Sequence, residues 1–321
     1  MRRPSAVAAL SLPGTNGWDF GDYPYGLEPL TMPAPNSAAP DGGSRDEADL
    51  DDACLGFLAR AKEGFGITPP VDDSRLGQLF WFRWIIGHHV SFVIWRLLAD
   101  ELSRLSSNPK DREAASVAVT EYVRAYCGML LYTGSCNSAI YNADIRPSMH
   151  RLHSTFSGTW APDYPPVRSL FRGRKLPPVV ASERERLVRQ VELSHRIHLG
   201  VAAKLVEGGR SLLQQSVAQR DANQPRMWEG IFDCYFLTLR APTTRQEILA
   251  QLLRRNKAIV MDLATNGLYP GSPESRDETL AEMRHPDIVE CEEDLPPSLF
   301  RVAGLAAGFS AARVAKEMTA S

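Results

Sequence analysis

Apolar residues recur at three- and four-residue spacing along most of the chain, which is the pattern of amphipathic helices. This pattern covers residues 51–63, 75–105, 109–130, 182–207, 227–239, 244–264 and 298–316. Ser74 and Ser182 stand at the start of two of these segments and are predicted to cap their N-termini. No segment alternates apolar and polar residues between hairpin turns. The sequence therefore predicts a mainly α protein, in which the helices at 75–105 and 109–130 pack antiparallel.

Two stretches lack that periodicity. Residues 1–50 hold seven prolines and end in a run of small and acidic residues, so we expect an N-terminal arm, partly disordered or docked, on a helical domain of residues 51–321. Residues 132–182 are dense in Gly, Pro, Ser and aromatic residues, with one short helix predicted around 138–145. A long irregular segment inside a compact domain is usually functional.

The composition narrows the class of protein. The 321 residues are 44% hydrophobic, enough for a sizeable core, and 36 Lys and Arg against 38 Asp and Glu give a formal charge of -2. This balance argues against nucleic acid as a partner. The five scattered cysteines form no CxxC pair, and the apolar run after Arg3 is short, so we expect a cytoplasmic protein without a signal peptide. The sequence does not decide between a monomer and a homo-oligomer.

One apolar stretch, residues 79–98, approaches the length of a membrane span. Arg83, His88, His89 and Arg96 interrupt it, and polar groups in the middle of a span are costly in lipid. We therefore interpret it as a buried helix and expect no membrane partner.

This helix carries the first of three histidine pairs. His88 shares a stripe with Trp84 and Trp95, and His89 lies on the neighbouring stripe with aliphatic residues. At least one imidazole must be buried among aromatic side chains, where burial favours the neutral form and suits a base, a hydrogen-bond donor or a metal ligand. Neighbouring residues on a helix point about 100° apart, so only one of the two can be catalytic. The aromatic stripe favours His88.

His195 and His198 lie one helical turn apart in HRIHLGVAAKL. Gly200, Ala202 and Ala203 beside them would let a flat group such as haem approach the backbone, but small residues also serve in helix–helix packing. The HxxH spacing could also hold zinc, although the glutamate of HExxH is missing.

Residues 132–182 supply arginines and aromatic residues that could bind a carboxylate. Tyr141 and Arg146 stand near its start. Near its end, Arg168 precedes the basic cluster FRGRK, residues 171–175, which contains Arg172. Arginine binds carboxylates through two parallel hydrogen bonds, so haem propionates and an amino-acid carboxylate are both candidate ligands. Basic clusters of this kind are also common on solvated surfaces.

These motifs together resemble the histidine-ligated haem enzymes of aromatic amino-acid chemistry that include tryptophan 2,3-dioxygenase. GHHVSFVIWRLLADEL, residues 87–102, resembles their distal-histidine helix, in which the spacing to Trp95 fits His89. HLGVAAKLVEGGRS, residues 198–211, resembles the proximal helix, and FSGTW, residues 156–160, resembles the loop over the haem. The GHH and SHRIH pairs and the Pro-rich N-terminus are closer still to the haem-dependent L-tyrosine 3-hydroxylases of actinobacterial antibiotic biosynthesis.

The resemblance implies a tryptophan 2,3-dioxygenase-like helical bundle around a haem, with long irregular loops. It implies a peroxygenase that uses hydrogen peroxide to hydroxylate L-tyrosine to L-DOPA, with His88 or His89 on the distal side of the iron. The residues that the resemblance places around haem and substrate are His198 or His195 as iron ligand, Arg168 and Arg172 toward the haem, and Trp84, Tyr141, Arg146 and Ser211 around the substrate.

The haem should be non-covalent haem b, iron protoporphyrin IX, because HxxxC is absent from both candidate helices. Two alternatives stay open at this point. One is a tryptophan 2,3-dioxygenase-like oxygenase of another aromatic substrate, and the other is a haem-binding protein without catalysis.

Overall fold

The computed structural model describes residues 27–35, 37, 70–107, 111–206, 225–271 and 281–309. The predicted helix at 51–63 and the predicted substrate residue Ser211 lie outside these residues. The α-helices are α1 (Leu76–Ser107), α2 (Arg112–Thr133), α3 (Ser138–Ile140), α4 (Arg146–Leu152), α5 (Arg168–Phe171), α6 (Ala181–Leu205), α7 (Pro225–Tyr235), α8 (Arg245–Asn266), α9 (Pro286–Glu293) and α10 (Leu295–Ala306). The mainly α prediction is confirmed.

Shorter elements connect these helices. A π-helical turn, Tyr141–Ile145, joins α3 to α4, and 3-10 turns lie at Asp73–Arg75, Gly158–Trp160, Pro165–Val167 and Ala281–Arg284. Two three-residue strands, β1 (Leu30–Met32) and β2 (Thr238–Arg240), pair in parallel with Leu30 opposite Thr238. These strands were not predicted, because three residues are too few to show a period of two.

The predicted caps at Ser74 and Ser182 are wrong. Ser74 lies inside a 3-10 turn, and its hydroxyl donates to the Asp72 carboxylate. Ser182 is the second residue of α6, whose N-cap position is occupied by Val180. The capping box is found at α8 instead, where the Thr244 hydroxyl accepts from the backbone N–H of Glu247 and the Glu247 carboxylate accepts in return from Thr244.

Helix α1 is buried over most of its surface because α2 and α8 both pack on it. Arg83, fully buried within it, donates two hydrogen bonds to the Asp262 carboxylate of α8, at 2.8 and 3.0 Å. This pairing explains how an apolar helix of near-membrane length carries a charge inside a protein core. Among the described residues, no helix is long and apolar enough to cross a membrane.

Helix α2 packs against both of the helices that carry candidate histidines, α1 and α6. It runs antiparallel to α1, as predicted, and parallel to α6. A Cβ on Gly87 of α1 would lie 2.4 Å from Thr133, and a Cβ on the adjacent Gly134 would lie 2.6 Å from Val201 of α6. Both helices therefore meet the same end of α2, so the turns that carry His88 and His198 lie at nearly the same level of the bundle.

The described part of the N-terminal arm lies against α8. The side-chain amide of Gln251 exchanges two hydrogen bonds with the backbone of Thr31, at 2.7 and 2.9 Å. The Glu28 carboxylate accepts two hydrogen bonds from Arg254, at 2.6 and 3.0 Å. The arm thus brings β1 beside β2, directly after the last turn of α7.

Candidate active site

His88 is half-buried on α1 and surrounded by aromatic rings. Its ring centroid lies 4.3 Å from that of Trp84 and 4.4 Å from that of Phe236. Its Nδ1 is 2.6 Å from the backbone carbonyl of Trp84. A carbonyl can only accept, so Nδ1 carries the hydrogen and Nε2 holds a free lone pair. Burial lowers the pKa of His88 to about 4, so the imidazole is neutral at pH 7 and can accept a proton at Nε2.

His89 is fully buried and has both ring nitrogens engaged. Arg255 donates from Nε to its Nδ1 at 3.2 Å, which leaves the hydrogen on Nε2, where it is donated to the backbone carbonyl of Phe236. Burial and the Arg255 charge lower the pKa of His89 well below its ordinary value. The two neighbouring histidines are therefore opposite tautomers. Of these two, His88 is the one with a ring nitrogen that has no hydrogen-bond partner in the described part of the chain.

Tyr141 and Arg146 come together because of the π-helical turn between them. Such a turn brings residues i and i+5 next to each other, and the Arg146 guanidinium donates a hydrogen bond to the Tyr141 hydroxyl. The Tyr141 ring meets Trp84 edge-on, with centroids 5.9 Å apart. Trp84 and His88 on α1 thus form one cluster with Tyr141 and Arg146, a pair more than fifty residues later in the sequence.

Helix α6 exposes both of its histidines. The Nε2–H of His195 donates to the backbone carbonyl of Phe171 at the end of α5. The imidazole of His198 makes no hydrogen bond within the ranges described, and partial desolvation and the neighbouring His195 lower its pKa. A helix-borne imidazole reaches a haem most easily through Nε2, the ring nitrogen farther from the backbone. His198 therefore fits the role of iron ligand better than His195.

Gly200 does not open α6 toward a flat ligand. A Cβ at this position would lie 2.4 Å from the sulfur of Met283, so the glycine serves helix packing and the haem-approach interpretation is wrong at this residue. Ala202 is half-buried and Ala203 is exposed, which leaves the surface beside His198 accessible.

A chain of contacts connects the two histidine helices. Trp95 of α1 contacts Tyr126 of α2 (centroids 5.6 Å apart), Tyr126 contacts Phe171 (4.6 Å), and Phe171 accepts the hydrogen bond of His195. We give the name histidine face to the group of residues on α1, α2, α5 and α6 that consists of His88, Trp95, Tyr126, Phe171, His195 and His198. The indole N–H of Trp95 is buried there and has no hydrogen-bond partner in the described part of the chain. Such a donor is costly to bury unless a ligand supplies its acceptor.

Arg168 and Arg172 flank Phe171 at one end of the histidine face. Both side chains are exposed, and neither is paired with an acidic residue in the ranges described. They are free to hold anionic groups of a ligand bound on this face.

The FSGTW segment packs on α7. Trp160 is buried and stacked on Trp228, with centroids 4.9 Å apart, and its ring also meets His153. Within the described residues, no three His, Cys, Asp or Glu side chains meet as a metal-binding group. This finding concerns metal ions that are held by several protein side chains. It does not concern a haem iron, which needs only one protein imidazole.

Phe236 and Arg255 contact the histidine pair and were not singled out from the sequence. Phe236 ends the aromatic run FDCYF, residues 232–236, and Arg255 interrupts an apolar helix. The aromatic residues at helical spacing in this run could have drawn attention to Phe236. No sequence pattern near Phe236 or Arg255 indicated a contact with residues 88 and 89.

A family model described as "SfmD 3-methyl-L-tyrosine peroxygenase" matches residues 61–190. This part of the chain resembles a peroxygenase. A 3-methyl-L-tyrosine peroxygenase from Streptomyces lavendulae is 35% identical over 112 residues, which is 30% of this chain and 29% of that protein. Both matches are to peroxygenases by name, and the chain spans less than a third of the curated relative. The family match includes His88, Tyr141, Arg146 and Arg172 and ends before the histidines of α6.

Proposed function

We propose that this protein is a haem-dependent peroxygenase that hydroxylates the ring of L-tyrosine at the 3-position, giving L-DOPA, with hydrogen peroxide as the oxidant. The observation that carries the proposal is the cluster of Trp84, His88, Tyr141 and Arg146. In this cluster the neutral imidazole of His88, with a free lone pair, lies beside the aromatic rings of Trp84 and Tyr141, and Tyr141 contacts the guanidinium of Arg146. The peroxygenase matches over residues 61–190 support the reaction type.

The histidine face fits a haem. It offers an exposed imidazole at His198, an unpartnered indole N–H at Trp95, and unpaired arginines at one end, all within the described residues. From Trp84 to Trp95, α1 extends roughly 16 Å, a length comparable to a porphyrin with its propionates. We assign His198 as the iron ligand, with Arg168 and Arg172 toward the propionates. When bound, the haem supplies the oxidising chemistry.

His88 would move the proton of the peroxide. Its Nε2 lone pair can accept the proton from the oxygen that binds first and return it to the oxygen that leaves as water. This role requires a neutral imidazole, and the aromatic rings around His88 keep it neutral. His89 would not take part, because Arg255 and the Phe236 carbonyl occupy both of its nitrogens.

Arg146 and Trp84 would orient the amino acid. Arg146 is half-buried beside the cluster and can pair with the substrate carboxylate, exchanging its contact with the Tyr141 hydroxyl. Trp84 presents an aromatic surface against which the phenol ring can pack.

The test is a spectrum followed by a product assay on the purified full-length chain. We expect a Soret band, release of the pigment by acid–acetone, and a change in the band when L-tyrosine is added. Peroxide and L-tyrosine should then give L-DOPA by liquid chromatography and mass spectrometry. A colourless protein would overturn the proposal. A coloured protein that hydroxylates only 3-methyl-L-tyrosine, or oxidises only tryptophan, would overturn the substrate, and a coloured protein inert to all three would be a haem-binding protein.

A further inference from the structure

Phe236 contacts both members of the histidine pair through different parts of the residue. Its ring stacks on the imidazole of His88, with centroids 4.4 Å apart and planes inclined by 25°. Its backbone carbonyl accepts the hydrogen bond from Nε2 of His89. The fully buried His89 is thereby connected to the imidazole of His88 through a residue in the turn between α7 and β2.

The carbonyl of Phe236 is fixed by a chain of hydrogen bonds that can run in only one direction. A guanidinium is always a donor, so Arg255 Nε–H fixes His89 as the Nε2–H tautomer, and this hydrogen goes to Phe236. Arg255 is fully buried and held by the backbone carbonyls of Gln251 and Glu28, at 3.1 and 2.9 Å. Each member of the chain therefore has one defined orientation.

The backbone beside Phe236 carries strain. Leu237 has a φ of 50°, a left-handed conformation that a leucine rarely adopts. The N–H of Leu30 on β1 donates to the carbonyl of Leu237 at 3.0 Å. Strained residues persist where the surroundings hold them, and here a hydrogen bond is made on each side, at His89 and at β1.

We propose that Phe236 is a positioning residue for His88, held in place by the Arg255–His89 hydrogen-bond chain, and that its ring keeps the His88 imidazole dry and in a single orientation. The inference adds to the proposed function a residue that acts through His88 without contacting the peroxide. It rests on the role proposed for His88, but the contacts themselves do not depend on that role.

Few charged groups face His88, so the effect of Phe236 can be isolated. His89 is its neighbour on α1. Tyr235 of α7 contacts Phe236, and Tyr141 of the π-helical turn, with Arg146 behind it, contacts Trp84. From α8, Arg255 acts on His89. Burial is the main cause of the lowered pKa of His88. Loss of the Phe236 ring should let water reach the imidazole and raise its pKa toward the ordinary value of 6.5.

Histidine hydrogen–deuterium exchange, followed by mass spectrometry on the full-length purified protein, measures the pKa of each imidazole without any assay of activity. We expect Phe236→Leu to raise the pKa of His88 so that its protonation constant increases about tenfold or more. Phe232→Leu is the matched control. Phe232 is equally buried one turn earlier on α7 and lies 4.7 Å from Phe236, with no contact to His88. This control should leave the pKa of His88 unchanged.

A second pair of variants tests the hydrogen-bond chain. This pair also tests the positioning of His88 by Phe236 if Phe236→Leu fails to fold. His89→Gln can still donate to the Phe236 carbonyl and accept from Arg255, so His88 should keep its low pKa, whereas His89→Leu should raise it. Equal shifts in Phe236→Leu and Phe232→Leu, or in the two His89 variants, would overturn the proposal. If the shifts occur but the protein makes no hydroxylated product, the proposed function is wrong and the positioning of His88 by Phe236 stands.

Discussion

Replacing His88 with phenylalanine separates two consequences of its half-buried, neutral imidazole. The first concerns catalysis. His88→Phe retains an aromatic ring among Trp84 and Phe236 but removes the Nε2 lone pair. We expect the haem to stay bound while peroxide-dependent hydroxylation of tyrosine falls by about 10² or more, the usual effect of removing a general acid–base group.

The second consequence concerns stability. The pKa of His88 falls from an ordinary 6.5 in the unfolded chain to about 4 in the folded protein. Between these values the unfolded state binds a proton that the folded state excludes, so stability decreases as the pH falls below 6.5 and is fully retained above it. For this pair of values, lowering the pH from 7 to 5 costs about 2 kcal/mol of unfolding free energy. His88→Phe lacks this group and should lose about 2 kcal/mol less than the wild type.

Urea denaturation at pH 7 and pH 5 measures this difference, with His150→Phe as the control. His150 is exposed on α4, so its replacement also removes one histidine but should leave the pH dependence of stability as in the wild type. If His88→Phe and the wild type lose equal stability between the two pH values, His88 is not buried in its neutral form. Full hydroxylation activity in His88→Phe would refute its catalytic role.

The remaining predictions concern iron and substrate binding. His198→Ala should empty the haem site or alter its Soret band far more than His195→Ala, because the Nε2 of His195 is occupied by a backbone carbonyl; the reverse result would exchange the two assignments. Arg146→Leu should raise KM for tyrosine about 10- to 100-fold, the equivalent of losing a charge-assisted contact, without loss of haem. Arg151→Leu, an exposed arginine on the same helix, is the control. Equal losses of haem and tyrosine affinity in Arg146→Leu would place Arg146 at a propionate.

The parts of the site that could be predicted from sequence are those encoded within one helix. The stripe of Trp84, His88 and Trp95 is visible from spacing alone, because a helix that is apolar on every side must bury whatever polar residue it carries. The preference for His88 over His89 followed from their stripes, and the structure adds a reason that no local pattern contains. The partners of His89, Phe236 and Arg255, lie on elements about 150 residues later in the chain.

Other features depended on backbone detail that sequence patterns do not reveal. The contact between Tyr141 and Arg146 requires a π-helical turn, and a regular helix would have separated the two side chains. The glycine at 200 fitted both a haem approach and helix packing, and only the position of Met283 decides between them. Serine caps were misplaced at both predicted helix starts, because serine also forms local hydrogen bonds outside caps.

The parallel pairing of β1 with β2 has a consequence for how the protein is assembled during synthesis. The two strands lie roughly two hundred residues apart, so Leu30 cannot find its partner until Thr238 has left the ribosome. The hydrogen bond from Leu30 to Leu237, and the contact of Glu28 with Arg255, must therefore form late. Residues 28–32 therefore dock only after partners some two hundred residues later have been made, and the surroundings of the histidine pair are completed only after Arg255 has been translated.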